Sequence, residues 1–115
     1  MLALGLNENS GTTVADASGQ NNAGTTLNTT WTTGRYGRGL AFNGSTSWVT
    51  VNSSASLNLV NRLTLEAWVS PTVSSGWRTI IFKELDAIYE LYASSSGDAV
   101  GDGQSTADRG QCELG

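Results

Sequence analysis

Apolar and polar positions along the chain alternate in short bursts and nowhere follow a sustained helical period. Leu2, Leu4 and Leu6 alternate with Ala3 and Gly5, which predicts a short strand with one buried face. Residues 12–15 form a second short extended piece, and 24–27 together with Trp31 offer further weak pairing segments. Leu40 and Phe42, then Val49 and Val51, predict two strands joined by the Asn43-Gly44-Ser45-Thr46 turn as a hairpin. Residues 63–70 alternate most cleanly, with Leu63, Leu65, Ala67 and Val69 on one side and Thr64, Glu66, Trp68 and Ser70 on the other. Pro71 closes that strand, because a ladder needs backbone N–H groups. Residues 77–83 and 88–93 complete the series, with Tyr89, Leu91 and Ala93 inward. Leu65, Val69, Phe42 and Val51 are the main expected core positions. Helix is confined to a single turn near residues 54–57.

Turn chemistry separates these bursts. Residues 16–24, Asp-Ala-Ser-Gly-Gln-Asn-Asn-Ala-Gly, are dense in side chains that bond their own backbone or tolerate left-handed geometry. Strands spaced by frequent turns are the pattern of a sandwich or barrel. After Ala93 the pattern stops. Residues 94–115 carry almost no apolar side chain beyond Val100 and Leu114, too little burial to offset ordering, so they read as a flexible tail. The expected organisation is one all-β antiparallel sandwich over residues 1–93, followed by that tail.

Composition narrows the chemistry. The 115 residues suffice for one modest domain, and only 14% are charged. A net charge of −4 and a sequence pI near 4.5 argue against nucleic acid, which needs a basic face. There is no histidine and one cysteine, Cys112. Ser/His/Asp and Cys/His triads, histidine-bound zinc, internal disulfides and thiolate clusters are therefore excluded. No apolar run approaches the roughly 20 residues that span a bilayer as a helix, so no membrane insertion is expected. The opening residues lack the basic flank of a signal peptide.

Four segments in order, at residues 6–19, 31–37, 40–44 and 63–69, resemble the laminin G-like jelly-roll domains of the concanavalin A-like lectin and glucanase superfamily. The first holds an acidic, Gly- and Thr-rich stretch leading into Asp16-Ala17-Ser18-Gly19. The last, Leu-Thr-Leu-Glu-Ala-Trp-Val, is similar to the family's strand before a proline. Asn7 and Asn43 stand where the family often carries aspartate. The resemblance implies a concanavalin A-like jelly roll, here expected to be incomplete because the family pattern ends at Ala93. It also implies an extracellular or surface setting within a larger protein, and an accessory role in carbohydrate binding or adhesion. A structural spacer or interaction domain is the alternative. Unpaired sheet edges in an incomplete sandwich would favour self-association.

The superfamily also contains glycoside hydrolases with paired acids on one strand. Here Glu84 and Glu90 are six residues apart, about 20 Å on a single strand at roughly 3.3 Å per residue. A retaining pair needs about 5 to 5.5 Å. The chain is therefore expected not to be an enzyme, with a degenerate hydrolase as the remote alternative.

For sugar binding, the candidates are aromatics paired with polar groups on outward faces: Trp48 with Thr50, Trp68 with Glu66, Tyr92 with Glu90, and Trp77. A structural calcium, as many such sandwiches hold, would draw on Asp16 and Asn43, with Asn21 and Asn22 as further oxygen donors. The competing reading for those Asx residues is that they simply build their turns.

Overall fold

The computed structural model describes residues 1–73, 75–83 and 89–94. Among them the chain is all-β apart from one 3-10 turn, and every paired strand is antiparallel. It divides into two units, Met1–Asn58 and Leu59–Gly115.

The first unit holds five strands: β1 (Thr13–Val14), β2 (Gly24–Leu27), β3 (Thr30–Gly34), β4 (Gly37–Ala41) and β5 (Trp48–Val51). They form a three-stranded sheet in the order β1-β2-β5 and a separate β3-β4 hairpin. In the sheet, Gly24, Thr26, Val14, Val49 and Val51 face inward, and Val14 is completely buried. Period-two alternation sends Thr13, Thr25, Leu27, Trp48 and Thr50 to the exposed face. Gly24 is required by close packing. A Cβ there would lie 2.7 Å from Val14 Cγ2 and 2.9 Å from Val49 Cγ1. The 3-10 turn Ala55–Leu57 falls where the sequence predicts a single helical turn, and its Leu57 is buried.

Pairing departs from the sequence expectation at residues 40–51. The structure forms no hairpin between the Leu40–Phe42 and Val49–Val51 segments. Leu40 pairs with Trp31, and Val49 with Thr26. The Asn43 side chain explains the divergence. Its Oδ1 accepts the N–H groups of Ser45, Thr46 and Ser47, winding residues 43–47 into a capped loop. Ser47 Oγ then donates to the Asn28 carbonyl and Asn28 Nδ2 to the Thr46 carbonyl, so the loop is tied to the β2–β3 connection. The chain passes from one sheet to another instead of doubling back. Phe42, expected inside, is exposed as a result.

Two further strands are reduced. The Leu2–Leu6 segment makes only a bridge between Leu4 and Asp16, and Leu6 turns the chain with φ of 53°. Residues 63–70, despite the cleanest alternation in the chain, form no strand. Leu65 is half-buried, whereas Val69 is exposed. Alternation marks a segment as fit for a ladder, but a strand exists only where a neighbour supplies hydrogen bonds.

The second unit contains β6 (Arg78–Lys83) paired with β7 (Tyr89–Ser94). Leu91 and Ala93 are buried, as their parity predicts, but Glu90, which the same parity sends outward, is buried as well. Residues 84–88 and 95–115 lie outside the described residues, and with them Glu84 and the whole expected tail beyond Ser94.

Candidate functional site

The β6–β7 hairpin gathers three of the expected ligand-binding residues onto one face. On β7, alternation places Glu90 and Tyr92 together, and Leu91 and Ala93 opposite them. On β6 the pairing is Phe82 with Glu90, Ile81 with Leu91, then Thr79 with Tyr92. Ile80 is thus an extra residue on β6, and a second irregularity between Arg78 and Thr79 leaves Ala93 extra on β7. Phe82 and Thr79 stand opposite Glu90 and Tyr92, and Trp77, just before β6, joins them through its ring contact with Tyr92.

The side chains interlock accordingly. The Tyr92 hydroxyl donates to Glu90 Oε2 at 2.7 Å. The Trp77 ring meets Tyr92 edge-on, with centroids 4.9 Å apart and planes at 70°, a favourable quadrupolar arrangement. Glu90 is 7% exposed, but Trp77 at 48% and Phe82 at 54% keep much of their surface open. The result is an exposed aromatic strip flanking a hydroxyl–carboxylate pair. Trp77, Tyr92 and Glu90 were legible in the sequence as aromatic and polar candidates. Phe82 and Thr79 were not, because their face is set by the register of β6 against β7, which no residue pattern announces. On the opposite face, burial raises the Tyr89 pKa above the usual phenol range.

The remaining candidates do not join this cluster. Trp48 lies in the first unit, on the exposed face of its sheet, directly across from Leu27 and two residues from Thr50. Trp68 is 74% exposed and Glu66 is exposed, but no strand organises them into a shared face as their parity suggested.

Asp16 and Asn43 have another occupation. Asp16 Oδ1 accepts the N–H groups of Ala3 and Ser18, at 3.0 and 2.9 Å. Its Oδ2 accepts the Ser18 hydroxyl at 2.8 Å and the Asn22 N–H at 2.9 Å. A carboxylate offers about four lone-pair positions, and all are taken by hydrogens. The Ser18 hydroxyl first, and then the N–H groups of Asn22, Ser18 and Ala3, hold this carboxyl well below the usual carboxylate range despite partial desolvation. Asn43 Oδ1 is likewise filled by three N–H groups and the Ser45 hydroxyl. Asn22 is buried and fully used, donating to the Met1 carbonyl and Ser56 Oγ and accepting from Ser54 Oγ. Oxygens already surrounded by donor hydrogens do not fit a calcium ion, which needs them bare. Among the described residues, no group of three or more acidic, cysteine or histidine side chains is arranged to hold a metal. These residues are turn builders.

Among the described residues, no helix is long and apolar enough to cross a membrane. Comparison of the chain with protein-family models, with curated proteins and with solved structures finds no match.

Proposed function

We propose that this chain is a non-catalytic accessory module for carbohydrate binding or adhesion, built on a laminin G-like β-sandwich within a larger secreted or surface protein. One observation carries the reading: the strip on the β6–β7 hairpin, where exposed Trp77 and Phe82 flank the Tyr92–Glu90 pair. Sugar rings present apolar C–H faces edged by hydroxyls. An exposed aromatic surface buries the former, and the Tyr92 phenol oxygen, oriented by the buried Glu90 carboxylate, accepts a hydrogen bond from the latter. The sandwich assignment draws on the four ordered sequence segments and on the antiparallel all-β character of both units.

A glycan array followed by titration calorimetry tests this. Binding of an oligosaccharide that drops at least about tenfold in Trp77→Ala supports it; loss of one stacked aromatic of about 1.4 kcal/mol corresponds to that factor. A folded chain that is silent across the array supports the spacer role in its place. Turnover of a generic β-glucan by the purified chain would make it an enzyme and sink the proposal.

A further inference from the structure

The β3–β4 hairpin ends in Gly34-Arg35-Tyr36-Gly37-Arg38, and this tip holds both of the basic side chains present in the first 58 residues. Register runs unbroken from Thr30 opposite Ala41 to Gly34 opposite Gly37, leaving Arg35 and Tyr36 as a two-residue turn. Short hairpin turns usually need a left-handed residue, which favours glycine or asparagine. Here the positive φ falls on Gly37, at 117°, so the two apical positions are free to carry large side chains. The tip is also anchored from outside the hairpin. The Arg38 N–H donates to Asn7 Oδ1 at 2.8 Å, and that same oxygen lies 2.7 Å from where a Cβ on Gly37 would sit. Trp31, further down β3, donates its Nε1–H to the Gly11 carbonyl at 3.0 Å and fixes the same loop.

What this anchored tip displays is cationic and aromatic. Arg35, Tyr36 and Arg38 are all exposed, Tyr36 by 69%. The Arg35 guanidinium lies over the Tyr36 ring, 5.5 Å from its centroid, which restricts both side chains before any partner arrives. The acidic groups of the same unit are turned to other tasks. Asp16 is saturated by its turn, and Glu8 Oε1 accepts the Ala15 N–H at 2.8 Å.

We infer that the Arg35-Tyr36-Arg38 tip is a docking point for an acidic peptide segment of another protein. Guanidinium forks match carboxylates two bonds at a time, and Arg and Tyr are among the side chains that dominate protein–protein contacts. A local pair of cations matches a local pair of carboxylates. A long polyanion such as nucleic acid would extend beyond the tip onto a chain whose net charge is −4, and would be repelled there. The tip belongs to a different unit from the aromatic strip of β6 and β7, so the two assignments stand independently.

Fluorescence anisotropy with a labelled Glu-rich peptide, its Gln-rich counterpart, polygalacturonate and duplex DNA tests the inference on the full chain. The Glu-rich peptide should bind, more weakly as salt rises, and the Gln-rich peptide should not. The Arg35→Gln/Arg38→Gln variant should lose roughly tenfold or more, and Arg35→Lys/Arg38→Lys should fall between, since charge remains but the fork is gone. All these positions are exposed, and a far-ultraviolet circular dichroism spectrum matching the parent checks that the hairpin still forms. No binding of the Glu-rich peptide, equal binding of the Gln-rich one, or full affinity in the double Gln variant would overturn the inference. Tighter binding of DNA or polygalacturonate than of the peptide would overturn it too, by showing a general polyanion site. Oligosaccharide binding at the Trp77 strip should be untouched by the double Gln variant, so one reading can fail without the other.

Discussion

The backbone N–H of Asn22 donates to Asp16 Oδ2, six positions earlier in the chain, and this bond closes the turn that leads from β1 into β2. It is one of four that converge on the Asp16 carboxylate, together with two from Ser18 and one from Ala3. The N-terminal segment and the Ser18 turn are thus organised around one negative charge.

That charge makes stability depend on acid. Because its folded pKa is depressed, ionised Asp16 stabilises the fold at pH values above the ordinary carboxylate pKa of about 4. The contribution fades as pH falls from there toward the lower folded value. Asp16→Asn should melt below the parent at pH 7, and the gap should narrow as pH drops below about 4. Thermal melts across pH check this; a gap that stays constant into acid would show that the charge is not what matters.

Calcium should have no effect on the same melts. The Asp16 and Asn43 side-chain oxygens already accept hydrogens from their own turns. Neither added calcium nor a chelator should move the midpoint. A calcium-dependent rise would mean that these turns reorganise around the ion.

Gly24→Ala should destabilise the first unit by about 1 to 3 kcal/mol, the usual cost of forcing a methyl group into a filled interior. The methyl would press on Val14 and Val49, both inward in the same sheet. Thr25→Ala, one residue on and facing solvent, should be close to neutral. Urea denaturation distinguishes them, and equal effects would mean the sheet faces are reversed.

In the second unit, Leu91→Ala should cost about 2 to 5 kcal/mol, as buried leucines do. Phe82→Ala should cost far less stability but should weaken oligosaccharide binding, since Phe82 is exposed on the aromatic strip. Paired denaturation and calorimetry on the two variants separate a core role from a surface one. A Phe82→Ala protein that is badly destabilised would place that ring in the core.

Tyr92→Phe removes the hydroxyl that donates to the buried Glu90 carboxylate. Losing a hydrogen bond to a charged acceptor costs about 1.5 to 3 kcal/mol, so the variant should be measurably less stable although its ring still packs against Trp77. Unchanged denaturation midpoints would show that water replaces the hydroxyl freely.

Local chemistry in this chain was legible from the sequence. Alternation placed Leu91 and Ala93 inward, Ser/Asn/Gly density marked the loop after Asp16, and the single helical turn fell at Ala55–Leu57. Each of these depends on neighbours within a few residues, which the order of residues directly specifies. Partnership was not legible. Val49 could extend a hairpin with Leu40 or a sheet with Thr26, and both satisfy the same period of two. The choice fell to the Asn43 cap and its tie to Asn28, contacts that exist only once the chain has folded. The candidate site divides in the same way. The sequence supplied Trp77, Glu90 and Tyr92 as suitable side chains, but the pairing of β6 with β7, with its extra residue at Ile80 and its shift between Arg78 and Thr79, decided that Phe82 and Thr79 would stand opposite Glu90 and Tyr92. A bulge leaves no mark on composition or period, because it is a property of the pairing between two strands and belongs to neither alone.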